Sequence, residues 1–122
     1  MAKILLAEDD ATMISLLKTL LKMEGFEVVA VDVNADVPSM VRQEMPDAIF
    51  MDVHLGGKNG LQILESIRKN DDFANIRVVM TSGLNMRDEC LSRGASGFLL
   101  KPFMGLLLAF RGGVVRSCRR VY

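Results

Sequence analysis

Cysteine, histidine and net charge are all scarce: the 122 residues hold two cysteines, one histidine and no tryptophan, with Lys+Arg 15 against Asp+Glu 15. Cys90 and Cys118 stand in no CxxC or other metal-ligand spacing, which argues against a zinc site and for free thiols in a reducing cytosol. A balanced charge gives no overall reason to expect nucleic acid as the partner. Arg111, Arg116, Arg119 and Arg120 crowd together near the end, and this reads more simply as a solvated helix end or linker than as a binding patch. Long hydrophobic runs are missing too. The opening MAKILLAEDD breaks off into acids, unlike a signal peptide or a membrane span of about 20 apolar residues. A cytoplasmic chain without membrane contact is expected.

What remains is ordinary for a folded protein, with 50% hydrophobic and 25% charged residues. The length suits one domain, residues 1–122, able to bury a core without disulfides. Short apolar runs recur at Ile4 to Ala7, Val28 to Val31, Ala48 to Met51, Val78 to Thr81 and Phe98 to Leu100, each too short for a helix. Their near-continuous apolarity marks strands covered on both faces, as in a parallel sheet. Between them, Met13, Leu16, Leu17, Leu20 and Leu21 form a stripe that a first helix would bury, with Gly25 just past its end. Asp36 is the expected N-cap of a second helix, Pro38 lies in its first turn, and Pro46 bars its continuation. Leu61, Ile63, Leu64 and Ile67 mark a third helix after Gly60, and Met86 to Arg93 a short fourth one closed by Gly94. Parallel strands need right-handed crossovers, so the alternation predicts an α/β fold: an open five-stranded parallel sheet, doubly wound, with helices on both faces.

Chemistry gathers where these runs end. Glu8, Asp9 and Asp10 follow the first strand and Asp52 follows the third, so the acids lie beyond strand carboxyl ends, the edge where open parallel sheets bind ligands. Two carboxylates about 4 Å apart repel by roughly 4 kcal/mol at an effective dielectric near 20, so a cluster calls for a cation. All-oxygen ligands favour Mg2+ or Mn2+ over zinc or copper. For Asp10 a plain helix cap is the competing reading. Asp52 has no such alternative, because VHLGGKNG separates it from the next helix. Thr81 and Ser82 end the fourth strand and Lys101 follows the fifth, adding a hydroxyl and an ammonium, both phosphate ligands. Each is commonplace alone. Together they make a site able to hold metal, accept a phosphoryl group and neutralise its charge.

The segments ILLAEDD, DAIFMD, NGLQIL, VVMTS and GASGFLLKPF, in this order and spacing, resemble the response-regulator receiver family from about Lys3 to Phe103. That resemblance implies a flavodoxin-like fold and makes Asp52 the nucleophile that takes a phosphoryl group from a histidine kinase or phosphotransfer protein. It further implies that Asp9 and Asp52 ligate Mg2+ or Mn2+, with Glu8 acting through water and His54 through its backbone carbonyl. Lys101 would pair with the acids and then with phosphoryl oxygens, preceding a cis peptide to Pro102. Thr81 would hydrogen-bond a phosphoryl oxygen, and Phe98 matches the family's aromatic switch position, or else is a plain core phenylalanine. A downstream protein, or a second copy in a homodimer, would read the switched surface.

The sequence departs from the family in two places. The loop after Asp52 commonly contains a proline there, whereas Gly56 and Gly57 are expected to loosen it here, at least in the unfolded chain, where glycine has more conformational freedom to lose. His54, the lone histidine, is read as incidental in its side chain. After KPF the family usually continues as an amphipathic fifth helix, but MGLLLAFRGGVVRSCRRVY carries no acid in its first turn and an adjacent Gly112–Gly113 pair costing about 1 kcal/mol each against alanine. A short or irregular last helix is predicted over the atypical 103–122. Two rivals stand beside the relay reading: a degenerate receiver that only binds partners, and an aspartate-nucleophile phosphohydrolase. The latter needs a second acid two residues after the nucleophile, where His54 stands.

Overall fold

All five apolar runs fold as strands, and the segments between them supply the helices. In chain order the elements are β1 (Lys3–Ala7), α1 (Ala11–Met23), β2 (Glu27–Ala30), α2 (Val37–Glu44), β3 (Ala48–Asp52), the two-residue strands β4 (His54–Leu55) and β5 (Lys58–Asn59), α3 (Gly60–Lys69), a 3-10 turn at Asp71–Phe73, β6 (Arg77–Ser82), α4 (Arg87–Ser92) and β7 (Gly97–Leu100). The computed structural model describes residues 2–32 and 34–101. Pro102 with its expected cis peptide, the segment 103–122 with its irregular last helix, and Cys118 lie outside the described residues.

The main sheet runs β2-β1-β3-β6-β7, every neighbour parallel. β1 therefore lies between β2 and β3, and the chain winds outward in both directions from there, which opens a crevice beyond the carboxyl ends of β1 and β3. Period-two alternation divides each apolar run between two cores. Leu5, Ile49, Met51, Val78 and Met80 face Val37 and Val41 of α2, Leu61, Leu64 and Ile67 of α3, and Cys90 of α4. Ile4, Leu6, Ala48, Phe50 and Val79 face Leu17 and Leu21 of α1. Helices thus cover both faces, and β3 at the middle is buried at all five positions. Burying one Leu, Ile or Phe side chain contributes about 1.5–3 kcal/mol, so this strand firmly supports a residue at its end.

Several local expectations change. Leu16 is 45% exposed, so the α1 stripe is narrower than its spacing suggested. Val31 falls just outside β2, although its N–H still donates to the Leu6 carbonyl at 2.9 Å. Asp36 occupies the N-cap of α2 without capping it through its side chain; its carboxylate instead accepts from the Ser39 hydroxyl. Asp10 is a true cap, its Oδ1 accepting from the N–H groups of Thr12 and Met13 at 2.9 and 3.3 Å. In the loop after Asp52, Gly56 and Gly57 have φ values of 52 and 82 and form a two-residue turn that pairs His54 with Asn59 and Leu55 with Lys58. Both angles lie in the left-handed region that glycine enters at little cost, and the pair matches a type I′ hairpin turn.

Candidate functional site

Register brings the chemistry together. Asp52 is the last residue of β3 and lies opposite Thr81 in β6, while Ser82 lies opposite Leu100 in β7, which delivers Lys101 one residue later. The Val53 N–H to Thr81 carbonyl bond (2.9 Å) and the Lys101 N–H to Ser82 carbonyl bond (2.8 Å) extend the ladder past the strand ends. Glu8 follows β1, the other neighbour of β3. Glu8, Asp52 and Thr81 are 2%, 6% and 3% exposed, whereas Asp9 is open to solvent.

The Lys101 ammonium joins the two buried acids, lying 2.5 Å from Asp52 Oδ2 and 2.9 Å from Glu8 Oε2. Backbone donors hold the remaining oxygens. Glu8 Oε1 accepts from the N–H groups of Asp9 and Asp10 at 3.1 and 3.2 Å, and Asp52 Oδ1 accepts from the His54 N–H at 3.0 Å. Asp9 Oδ2 accepts from the Gly56 N–H at 3.1 Å. The Thr81 hydroxyl hydrogen-bonds none of the described residues. Burial pushes the Glu8 carboxyl above its ordinary value, with Asp52 adding to the rise and the Lys101 hydrogen bond opposing it. Burial acts to lower the Lys101 ammonium, but its bonds to Asp52 and Glu8 outweigh this and the net shift is upward.

Glu8, Asp9 and Asp52 each offer a carboxylate oxygen, and these lie within 4.8 Å of one another. Three carboxylates against one ammonium leave two negative charges unmatched, the charge of a divalent ion. Oxygen donors suit a hard cation such as Mg2+. The acidic cluster could therefore bind a metal.

His54 and Phe98 fall at the periphery. The His54 side chain is exposed, and its N–H, rather than its imidazole, reaches Asp52. Phe98 is half-buried and packs against the core that contains α2, α3 and α4.

A family model described as the response regulator receiver domain matches residues 4–108. The chain belongs to this family. Among the receiver's relatives, the chemotaxis protein CheY of Bacillus subtilis is 31% identical over 105 residues, covering 83% of this chain and 86% of that protein. The transcriptional regulatory protein CpxR of Escherichia coli K12 is 34% identical over 103 residues, 84% of this chain and 44% of CpxR. The chain thus spans less than half the length of some regulators it matches. Of solved structures, the BeF3-activated N-terminal receiver domain of Klebsiella pneumoniae RstA aligns with a TM-score of 0.81 at 26% identity, covering 97% of this chain and 98% of that one. The receiver domain of the sensor histidine kinase PA1611 from Pseudomonas aeruginosa aligns at 0.71 and 27% identity, over 98% and 95% of the chains, and has a magnesium ion coordinated in its active site cleft.

Two features of this receiver site were not anticipated from residue types. The N–H groups of His54 and Gly56 orient Asp52 and Asp9. At Gly60, a Cβ would lie 2.3 Å from the Asp52 carbonyl oxygen and 2.9 Å from Val53 Cα, so the first turn of α3 presses directly on the backbone of the acid-bearing strand end. A Gly-Gly pair spaced for a two-residue hairpin was a usable sign of the turn. The sequence marked Gly60 as the start of a helix and as part of NGLQIL, but not as a close contact of the Asp52 backbone.

Proposed function

We propose that Asp52 is the phosphoacceptor of a two-component relay, charged from the phosphohistidine of a sensor kinase or phosphotransfer protein. Receiver domains interact with histidine kinases and with downstream effectors, and the cluster at the sheet edge resembles a phosphorylation site. The observation that carries the reading is the double pairing of Lys101 with Asp52 and Glu8 beside Asp9.

In the proposed step a carboxylate oxygen of Asp52 attacks phosphorus in line. The bond from phosphorus to the donor's histidine nitrogen breaks, and that nitrogen keeps the electron pair. Lys101 then serves the phosphoryl oxygens while remaining beside Glu8, and the unengaged Thr81 hydroxyl donates to another of them. Mg2+ or Mn2+, held by Asp9 and Asp52, by the His54 backbone carbonyl and by Glu8 through water, would supply the positive charge that offsets the carboxylates and the incoming phosphoryl group. Movement of Thr81 toward the phosphoryl group lets Phe98 turn further inward, so phosphorylation favours one of two surfaces presented to a protein partner.

On this reading residues 1–122 form one receiver, with 103–122 an atypical C-terminal segment. It acts as a cytoplasmic switch rather than an enzyme and makes no direct contact with nucleic acid; a homodimer is one assembly its surface could form. Among the described residues no helix is long and apolar enough to cross a membrane.

Intact mass after incubation with acetyl phosphate and Mg2+ tests the central claim. One phosphoryl group, stable to acid and lost in mild alkali, is expected on the native chain and none on Asp52→Asn. Equal labelling of both chains, or labelling of neither, would sink it.

A further inference from the structure

The turn between β4 and β5 departs from the proline-containing loop common in the family, and it touches the carboxylate trio. Three bonds anchor the hairpin. The Gly56 N–H donates to Asp9 Oδ2 at 3.1 Å, the His54 N–H to Asp52 Oδ1 at 3.0 Å, and the Lys58 ammonium to the Ala35 carbonyl at 2.7 Å. Two of the three end on the acids of the candidate metal site, and the third ties the far strand of the hairpin to the loop before α2. Asp9 is exposed, and its other oxygen, Oδ1, accepts no hydrogen bond among the described residues. An exposed aspartate is otherwise free to exchange rotamers. Pinning Oδ2 on an amide fixes the carboxylate and leaves Oδ1 available as a ligand.

We propose that the Gly56–Gly57 turn is a positioning device for the cation: it holds the Gly56 N–H against Asp9, presetting that carboxylate beside Glu8 and Asp52. The turn requires positive φ at both central residues, 52 and 82 here, which glycine adopts at little cost. The inference rests on the metal-dependent reading above and deepens it, assigning the placement of one ligand to a backbone donor. Contacts of this kind, which orient a ligand without touching the ion, typically change metal affinity about 10- to 100-fold.

Calorimetric titration with Mg2+ of the native chain, Gly56→Pro and Gly56→Asn tests it, with urea unfolding of each to verify the fold. Proline has no N–H and cannot adopt the positive φ, so it removes both donor and turn. Asparagine keeps the donor, and Asn-Gly is a favoured type I′ pair, making it the conservative rescue. About tenfold weaker Mg2+ binding in Gly56→Pro, with native-like binding in Gly56→Asn, is the expected result. Native-like affinity in both variants, or equal weakening in both, would overturn the inference and leave the proposed function standing. A native chain that binds no Mg2+ would overturn both.

Discussion

Glu8 shows how one residue's surroundings set a measurable property. Its folded pKa lies above the ordinary 4.5, because burial and Asp52 disfavour the charged form more than Lys101 favours it. A raised pKa means that the folded state binds its proton more tightly than the unfolded chain, so this contribution to stability is present below 4.5 and is lost as pH rises through the folded value. Lys101 is also raised, and its contribution persists until pH climbs past its ordinary 10.5. In chelator-treated protein, Glu8→Gln should therefore flatten the decline above pH 4.5 and raise the urea midpoint at pH 7. A variant midpoint below the native one at pH 7 would contradict this balance of burial against pairing. At this scale Glu8, Asp52, Thr81 and Lys101 could be read directly, since each stands where an apolar run stops. The N–H groups of His54 and Gly56 could not, because every residue except proline has such a donor and only the folded backbone aims it.

Elements meet at Gly60, where two opposing effects can be weighed. Alanine exceeds glycine by about 1 kcal/mol inside a helix, so propensity alone would make Gly60→Ala stabilising at the start of α3. Against this stands a Cβ 2.3 Å from the Asp52 carbonyl oxygen and 2.9 Å from Val53 Cα, both backbone atoms that cannot swing aside as a side chain would. Forcing such an approach costs about 1–3 kcal/mol. The steric effect should win: Gly60→Ala is expected to lower the urea midpoint and to slow labelling of Asp52 by acetyl phosphate, as followed by intact mass. Gly83 offers a control at the same edge, since a Cβ there meets nothing within 4 Å, and Gly83→Ala should leave the midpoint close to native. The α1 stripe teaches the complementary lesson. Met13, Leu17, Leu20 and Leu21 pack against the sheet as their spacing predicts, but Leu16 points away because the buried arc is narrower than the run of apolar letters.

Across the whole molecule, the cation and the fold should be thermodynamically linked. Glu8, Asp9 and Asp52 come from two strand ends that only the folded sheet makes adjacent, so the unfolded chain has no preformed site. Ligand in tenfold excess over its Kd stabilises by about 1.4 kcal/mol when it binds the native state alone. Tm should rise with Mg2+ and keep rising with concentration beyond the Kd, while Asp9→Asn should blunt the response. An equal rise in native and variant would point to a general salt effect. The sequence by itself determined the alternation of strands and helices, the two-sided burial of the sheet, and which residue types stand at its carboxyl edge, because periodicity and chain order are properties of the letters. It pointed to that edge as the common site. The tertiary structure alone decided the distances there, the hairpin that pins Asp9, and the packing of Gly60 against Asp52. These depend on how separate backbone segments approach in space, and backbone donors, turn angles and close contacts have no residue type of their own.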